Sequence, residues 1–301
     1  MPSNDHLHCF PQAIAALFRG PHQPTAAWRE QAESEKARHA ANPPADSFYL
    51  ELKLGPPLQI PWSCNTRALL GCRGLTYESL IERVHPGYGN VFLNFSLAFQ
   101  QLLLKHKDII AQQPIACNLM MPLRHDNGRY FWFNQFSKPS GLAENLCLTH
   151  QLNTYRLIGE YQGTMLLSRP NVLLQSEAAP DIQKEFQQLA GKAALERMFN
   201  LRLEKHGNLH PVHQRILYAW WKVYAKLGPA GTNHNKVAAN LPFQPNTLKK
   251  HVQAILEAAR QVFPLYPIKD MNDLARLLVG LFGAEGHQAV KELAPQGSIC
   301  A

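Results

Sequence analysis

Apolar residues recur along this chain with two different periods, and the change of period divides it. Ile14, Leu17 and Phe18 stand at helical spacing within residues 7–41, and the charged run from Trp28 to Arg38 also suits a helix, ended by Asn42-Pro43-Pro44. From Phe48 the pattern alternates strictly: Phe48, Leu50, Leu52 and Leu54 are apolar against Tyr49, Glu51 and Lys53, which predicts a half-buried strand closed by Gly55-Pro56-Pro57. A short helical piece over 65–70 precedes Thr76, an N-cap for a helix from Tyr77 to Val84 that His85-Pro86-Gly87 terminates. One long amphipathic helix is expected from Phe92 to Ile110, where Phe92, Phe95, Phe99, Leu102, Leu103 and Ile110 recur at helical steps. Beyond Pro114 the period falls to two. Residues 115–123, 129–137 and 145–154 read as consecutive strands, joined by His125-Asp126-Asn127-Gly128, whose Asn-Gly is a hairpin signal, and by Lys138-Pro139-Ser140-Gly141. Strand, small helices, long helix and antiparallel meander is an α+β order.

The second half is helical. After a poorly patterned connector, a helix runs from Asp181 towards Lys205, with Ile182, Phe186, Leu189 and Ala193 forming a heptad-like seam before Leu195, Met198 and Leu201 take over. Two readings stand open: the helix packs on its own chain, or it pairs two subunits. Pro211 opens the next helix, whose face carries Ile216, Leu217, Trp220, Trp221, Val223 and Tyr224 and which Gly228-Pro229-Ala230-Gly231 stops. A short helix over 233–241 and another beginning at Asn246, its expected N-cap, then meet across a turn of about four residues, a helix-turn-helix signature. The later helix buries Leu248, Val252, Ile255 and Leu256 and leaves Gln244, Asn246, Thr247, Lys249, Lys250 and Gln253 towards the turn or solvent. Pro264-Leu265-Tyr266-Pro267 breaks the chain, and Asp270 starts a last helix through Leu274, Leu277, Leu278 and Leu281.

Charge sharpens the picture. Between Gly207 and Lys269 eight basic residues face one acid, Glu257, so nearly all of the chain's net +8 sits there. A local cationic excess attracts phosphate backbones by counterion release, with an affinity that ignores base sequence and weakens with salt. At 301 residues with 46% hydrophobic content the chain is long enough for two domains. The six cysteines show neither metal spacing nor a disulfide framework and read as reduced thiols, and the start Met1-Pro2-Ser3-Asn4-Asp5-His6 lacks a secretory pattern. With no apolar run near the roughly 20 residues that span a bilayer, a cytoplasmic protein without membrane contact is expected. No nucleophile with a base, phosphate loop or zinc-protease motif is present, and His6-x-His8-Cys9 lacks two further local ligands, so neither an enzyme nor a metal site is expected.

The order of elements over Ser47 to Gly163, with Leu69-Leu70-Gly71, the helix ending in His85-Pro86, Pro122-Leu123-Arg124 and Asp126-Asn127-Gly128-Arg129-Tyr130-Phe131-Trp132, resembles a PAS sensor domain. That resemblance implies a cavity between long helix and sheet, with Phe95, Phe99, Leu119, Met121, Phe131, Phe133 and Leu146 as candidate lining for a small-molecule ligand; no cofactor is predicted. The plan of helices over Leu209 to Leu281, with Asn246-Thr247-Leu248-Lys249-Lys250-His251-Val252 and then Ile255-Leu256, is similar to the LuxR-type helix-turn-helix of bacterial transcription regulators. It implies double-stranded DNA as partner, contact roles for Thr247, Lys249 and Lys250, and a packing or phosphate role for His251. Gln244, Asn246 and Gln253 add amides that pair with adenine edges. The expected organisation is a helical segment (1–46), a PAS-like sensor (47–163), a connector and dimerisation helix (164–208), a DNA-binding domain (209–284) and a tail (285–301). The expected function is a homodimeric DNA-binding regulator controlled by a ligand or partner; the alternative is a PAS-based interaction adaptor without DNA binding.

Overall fold

The computed structural model describes residues 17, 23–55, 57–163, 169–175, 177–203, 207–242, 244–288 and 290. The expectations for Ile14, Phe18, His6, His8, Cys9 and the chain after residue 290 lie outside the described residues. The chain is α+β and divides into two units, Met1–Thr164 with Pro170–Gln183 and Met165–Arg169 with Lys184–Ala301.

Unit 1 begins with α1 (Ala26–Ala41), β1 (Ser47–Lys53), β2 (Gln59–Cys64), α2 (Thr66–Leu70) and α3 (Tyr77–Arg83). It continues with α4 (Gly89–Lys105), α5 (Lys107–Gln112), β3 (Ile115–Arg124), β4 (Tyr130–Leu142), β5 (Leu148–Glu160) and β6 (Asn171–Leu174). The strands form one antiparallel sheet in the order β2-β1-β5-β4-β3-β6. Local chemistry sets the boundaries. Thr76 and Ser79 cap α3 reciprocally, each side chain accepting the other's backbone N–H at 3.1 and 3.0 Å. At the β3–β4 hairpin Gly128 adopts φ +85°, the left-handed conformation that the turn demands and glycine supplies. His85 ends its helix as expected, its Nδ1 accepting the Gly87 N–H at 3.1 Å.

Four expectations are corrected. Lys138-Pro139-Ser140-Gly141 is not a turn but part of β4, which absorbs the proline's missing N–H through register shifts around Pro139 and Gly141. The reversal comes later, where Ala143 donates its N–H to the Cys147 carbonyl at 2.9 Å. The single helix expected over 92–110 is two, because His106 leaves helical geometry at φ −109°, ψ 33°. Finally, β2, with Pro61 inside it, and β6 were not expected as strands; both lie at sheet edges, where a lost ladder bond costs least.

Pairing aligns the residues of one sheet face in rows across the four central strands. Phe48, Tyr155, Gln135 and Leu119 make one row, and Leu50, Asn153, Ser137 and Cys117 the next. A third holds Leu52, Gln151 and Pro139. The opposite face is covered by α1, where Lys36 pairs with Glu51 at 2.9 Å, Lys138 with Glu35 at 2.6 Å, and the His39 ring stacks on Tyr49.

The division between the units falls inside α6 (Ala179–Asn200), after Gln183. Within unit 2, α6 is followed by the short pair β7 (Arg202–Leu203) and β8 (Gly207–Asn208), then α7 (Pro211–Gly231), α8 (His234–Ala238), α9 (Pro245–Val262) and α10 (Met271–Phe282). So α6 stops at Asn200, short of the expected Lys205. Its buried positions in unit 2 include Phe186, Ala190, Ala194 and Met198, whereas Leu189 and Ala193 of the heptad-like seam are only half-buried. A Cβ added at Gly191 would sit 3.4 Å from the Phe282 ring, so this helix packs closely on α10 of its own chain. The core holds Trp221, Leu248, Ile255, Leu274 and Leu278, all essentially fully buried, and each such aliphatic side chain contributes about 1.5–3 kcal/mol by leaving water.

Candidate functional site

Helix α9 has two chemically distinct faces. Leu248, Val252, Ile255, Leu256 and Ala259 are buried, which fixes the helix rotationally. Asn246, Lys249, Lys250 and Gln253 are exposed and, at steps of three and four, share the other face; Thr247 and Gln244 are exposed beside them. The expected cap is corrected: Gln244, not Asn246, occupies the N-cap position, and Pro245 is the first helical residue. Asn246 lies inside the first turn, so its amide is not committed to the cap.

The short α8 before the turn is capped by Asn233, whose Oδ1 accepts the Lys236 N–H at 3.0 Å. It is anchored by buried Val237 and Ala238. His251 sits differently from its neighbours. Its Nδ1 lies 3.3 Å from Nε2 of buried His213, whose Nδ1 accepts the His210 N–H at 2.8 Å. That backbone donor makes Nδ1 of His213 the acceptor and leaves its Nε2–H to face His251. His251 is half-buried, its ring against His213 of α7.

Lys249 and Gln253 also line a cleft with Trp220, His234, Lys269 and Asp270. Burial first, and then the Lys249 charge, hold the His234 imidazole below its ordinary range, with Asp270 acting in the opposite sense. Trp220 donates its indole N–H to Asn272 at 2.9 Å and packs edge-to-face on His234. Arg260 is spent on carbonyls of residues 268 and 269. Lys222, Lys226 and Lys236 remain exposed on α7 and α8. The α9 ridge thus offers amides that pair with base edges and ammonium groups that pair with phosphates.

Unit 1 contains the second candidate, a cavity between α4 and the sheet. Of the expected lining residues, Phe95, Phe99 and Leu119 do line it. Met121 and Phe133 are buried but not among its walls, and Phe131, half-buried near the start of β4, lies outside it, within ring contact of His125 and under the Arg129 guanidinium. Leu146 lies in the β4–β5 turn at φ +59°. Sequence reasoning missed the polar wall: Gln100 and Ser96 from α4, Gln135 and Ser137 from β4, and Gln151 and Asn153 from β5. A signal was present, since Ser96 and Gln100 stand four apart inside the apolar stripe of α4.

These amides are buried, with exposures of 4% for Gln100, 8% for Gln135 and 2% for Gln151. Gln100 donates to Gln151 Oε1 at 2.9 Å and Gln135 to Asn153 Oδ1 at 3.3 Å. Gln100 Oε1, Gln135 Oε1 and Gln151 Nε2 find no partner in the protein. A buried polar atom left without any partner costs about 1–3 kcal/mol. No charged side chain lines the space. Burial pushes the Cys117 thiol and the Tyr77 and Tyr155 phenols upward, so all three stay uncharged.

No group of three or more His, Cys, Asp or Glu suited to hold a metal occurs among the described residues. None of the helices among them is long and apolar enough to cross a membrane. No protein-family model matches the chain, and no curated protein is significantly similar to it.

Proposed function

We propose that the chain is a DNA-binding transcription regulator: unit 2 acts as a LuxR-type helix-turn-helix, with α9 as the reading helix, and unit 1 as a PAS-like sensor that takes a small ligand or a partner. The observation that carries this reading is the two-faced α9. A buried aliphatic spine holds Asn246, Lys249, Lys250 and Gln253 outward on one face, with Gln244 and Thr247 at its start. The lysines bind phosphates and set register, while Gln253 and Asn246 read adenine edges in the major groove. The exposed Lys222, Lys226 and Lys236 add further cations for the backbone. Support for the sensor reading comes from the antiparallel sheet with α4 across one face and a cavity beneath it. The protein works as a homodimer, two α9 helices meeting half-sites about 34 Å apart.

The test is selection of bound genomic fragments by the full chain, followed by gel-shift of those enriched. A shared motif with two half-sites about one helical turn apart is the expected result. Enrichment no better than that of random duplex, with no shift at low salt, would leave the interaction-adaptor reading in its place.

A further inference from the structure

Helix α7 carries more apolar surface than the core of unit 2 takes from it. Ile216, Leu217, Trp220, Trp221 and Tyr224 are buried and form its inner side. Beside them Ala219, Val223 and Leu227 recur every fourth residue and make a second apolar row. Leu227, at 44%, is one of three large hydrophobic side chains left exposed among the described residues. This row lines a groove of about 720 Å³ whose walls also include Ala239, Asn240, Leu241 and Pro242, just after α8. Charge narrows what the groove fits. Arg215, Lys222 and Lys226 of α7 and Lys236 of α8 line it, and none of its described walls is acidic. From Arg215 to Lys226 the α7 cations run along one side of the helix for about 16 Å, or roughly three turns. Cations spread over that length do not converge on a single phosphate or carboxylate. A duplex backbone, for its part, gains nothing from the apolar row, and no wall of the groove comes from α9.

We propose that this groove docks an acidic amphipathic helix of a partner protein, its apolar side chains on Ala219, Val223 and Leu227 and its Asp or Glu side chains opposite Lys222, Lys226 and Lys236. Such a helix brings apolar anchors at the three- and four-residue steps that α7 itself presents, and about three turns of it match the cationic run. Its carboxylates steer the encounter and set its orientation, while burial of the apolar row supplies most of the affinity. The proposal stands without the DNA reading. Where both hold, Lys222, Lys226 and Lys236 serve the duplex backbone and the partner in turn, so each weakens the other's binding by the same factor.

Anisotropy of a labelled peptide with the full chain, without DNA, tests it. The probe is a helix of about 16 residues, long enough to hold helical structure, with leucines at three- and four-residue steps and glutamates flanking them. One control carries lysine for every glutamate, the other glutamine for every leucine. The probe should bind at least about tenfold tighter than either control, since it alone has both the anchors and the charge. Lys222→Glu with Lys226→Glu, both exposed, should weaken the probe at least about tenfold and strengthen the lysine control, an exchange that a misfolded chain does not produce. The proposal is overturned if the glutamine control binds as tightly as the probe, or if the double reversal leaves the probe's affinity unchanged. It also falls if the parent sediments as a dimer and the double reversal as a monomer, which gives the groove to a second copy of the chain. Lys249→Ala with Lys250→Ala should leave the probe bound, so failure of this site and failure of the α9 reading are told apart.

Discussion

The two units solve opposite problems with the same residue type. In unit 2, glutamine and asparagine stand outside on α9, on a helix whose apolar half is fully buried. In unit 1, Gln100, Gln135, Gln151 and Asn153 are inside, at the centre of a sheet-and-helix core. An amide outside stays hydrated and free to meet a partner, whereas one inside is costly unless satisfied. Under the proposed reading the first is an external DNA-reading surface, and the second belongs to the sensing unit.

The comparison breaks first at the α9 spine. Leu248→Ala should lower the stability of unit 2 by about 2–5 kcal/mol, since Leu248 is fully buried. Urea unfolding followed by hydrogen exchange should show the loss there and leave the sheet of unit 1 protected; a loss below about 1 kcal/mol would mean that the spine does not hold the ridge. In unit 1 the matching lever is Gly71, at φ +83°, where an added Cβ would lie 2.8 Å from the Asp126 Cβ. That glycine lets the Asp126 N–H reach the Leu70 carbonyl at 2.9 Å, beside the Arg83–Asp126 ion pair at 2.6 Å. Gly71→Ala should cost about 1–3 kcal/mol, confined to unit 1, and an unchanged denaturation midpoint would contradict the close approach.

Sequence pattern made the two units unequally legible. Every residue named for the α9 spine is buried, and Leu274, Leu277, Leu278 and Leu281 of α10 are too, because amphipathic helices with one wet face announce their inner side. In unit 1 the central strands are covered on both faces, by α1 on one and α4 on the other, so alternation no longer tells inside from outside. Tyr49 and Glu51 are buried at 4% and 6%, although they alternate with Phe48, Leu50 and Leu52. The amide wall was hidden by the assumption that a cavity is lined with apolar residues, and Pro139 by the rule that proline marks a turn.

Smaller effects sharpen the contrast. Gln253→Ala should change discrimination at one base pair by about 1–3 kcal/mol while leaving affinity for random duplex nearly unchanged. Competition with operator variants reads this directly, and a uniform loss across all sequences would make Gln253 a backbone contact. The smallest expected effect is on pH. His85, His150 and His234 are all held below the ordinary histidine range, chiefly by burial. A lowered folded value means that the unfolded chain binds protons first. Stability is therefore complete above about pH 6.5 and erodes as pH falls from there through the folded values. Two of the three lie in unit 1, so hydrogen exchange at pH 5.5 against 7.5 should show the larger loss in its sheet; a larger loss in unit 2 would reverse that assignment.

The central claim is that the outward ridge of α9 meets duplex DNA, and the salt dependence of binding tests it most directly. Anisotropy titrations of a selected duplex with the full chain should give log Kd rising linearly with log salt. Lys249→Ala with Lys250→Ala should weaken binding to every duplex and reduce the slope by about two, one for each lost phosphate contact. An unchanged slope and affinity in a double variant whose helical signal and Tm match the parent would contradict the account.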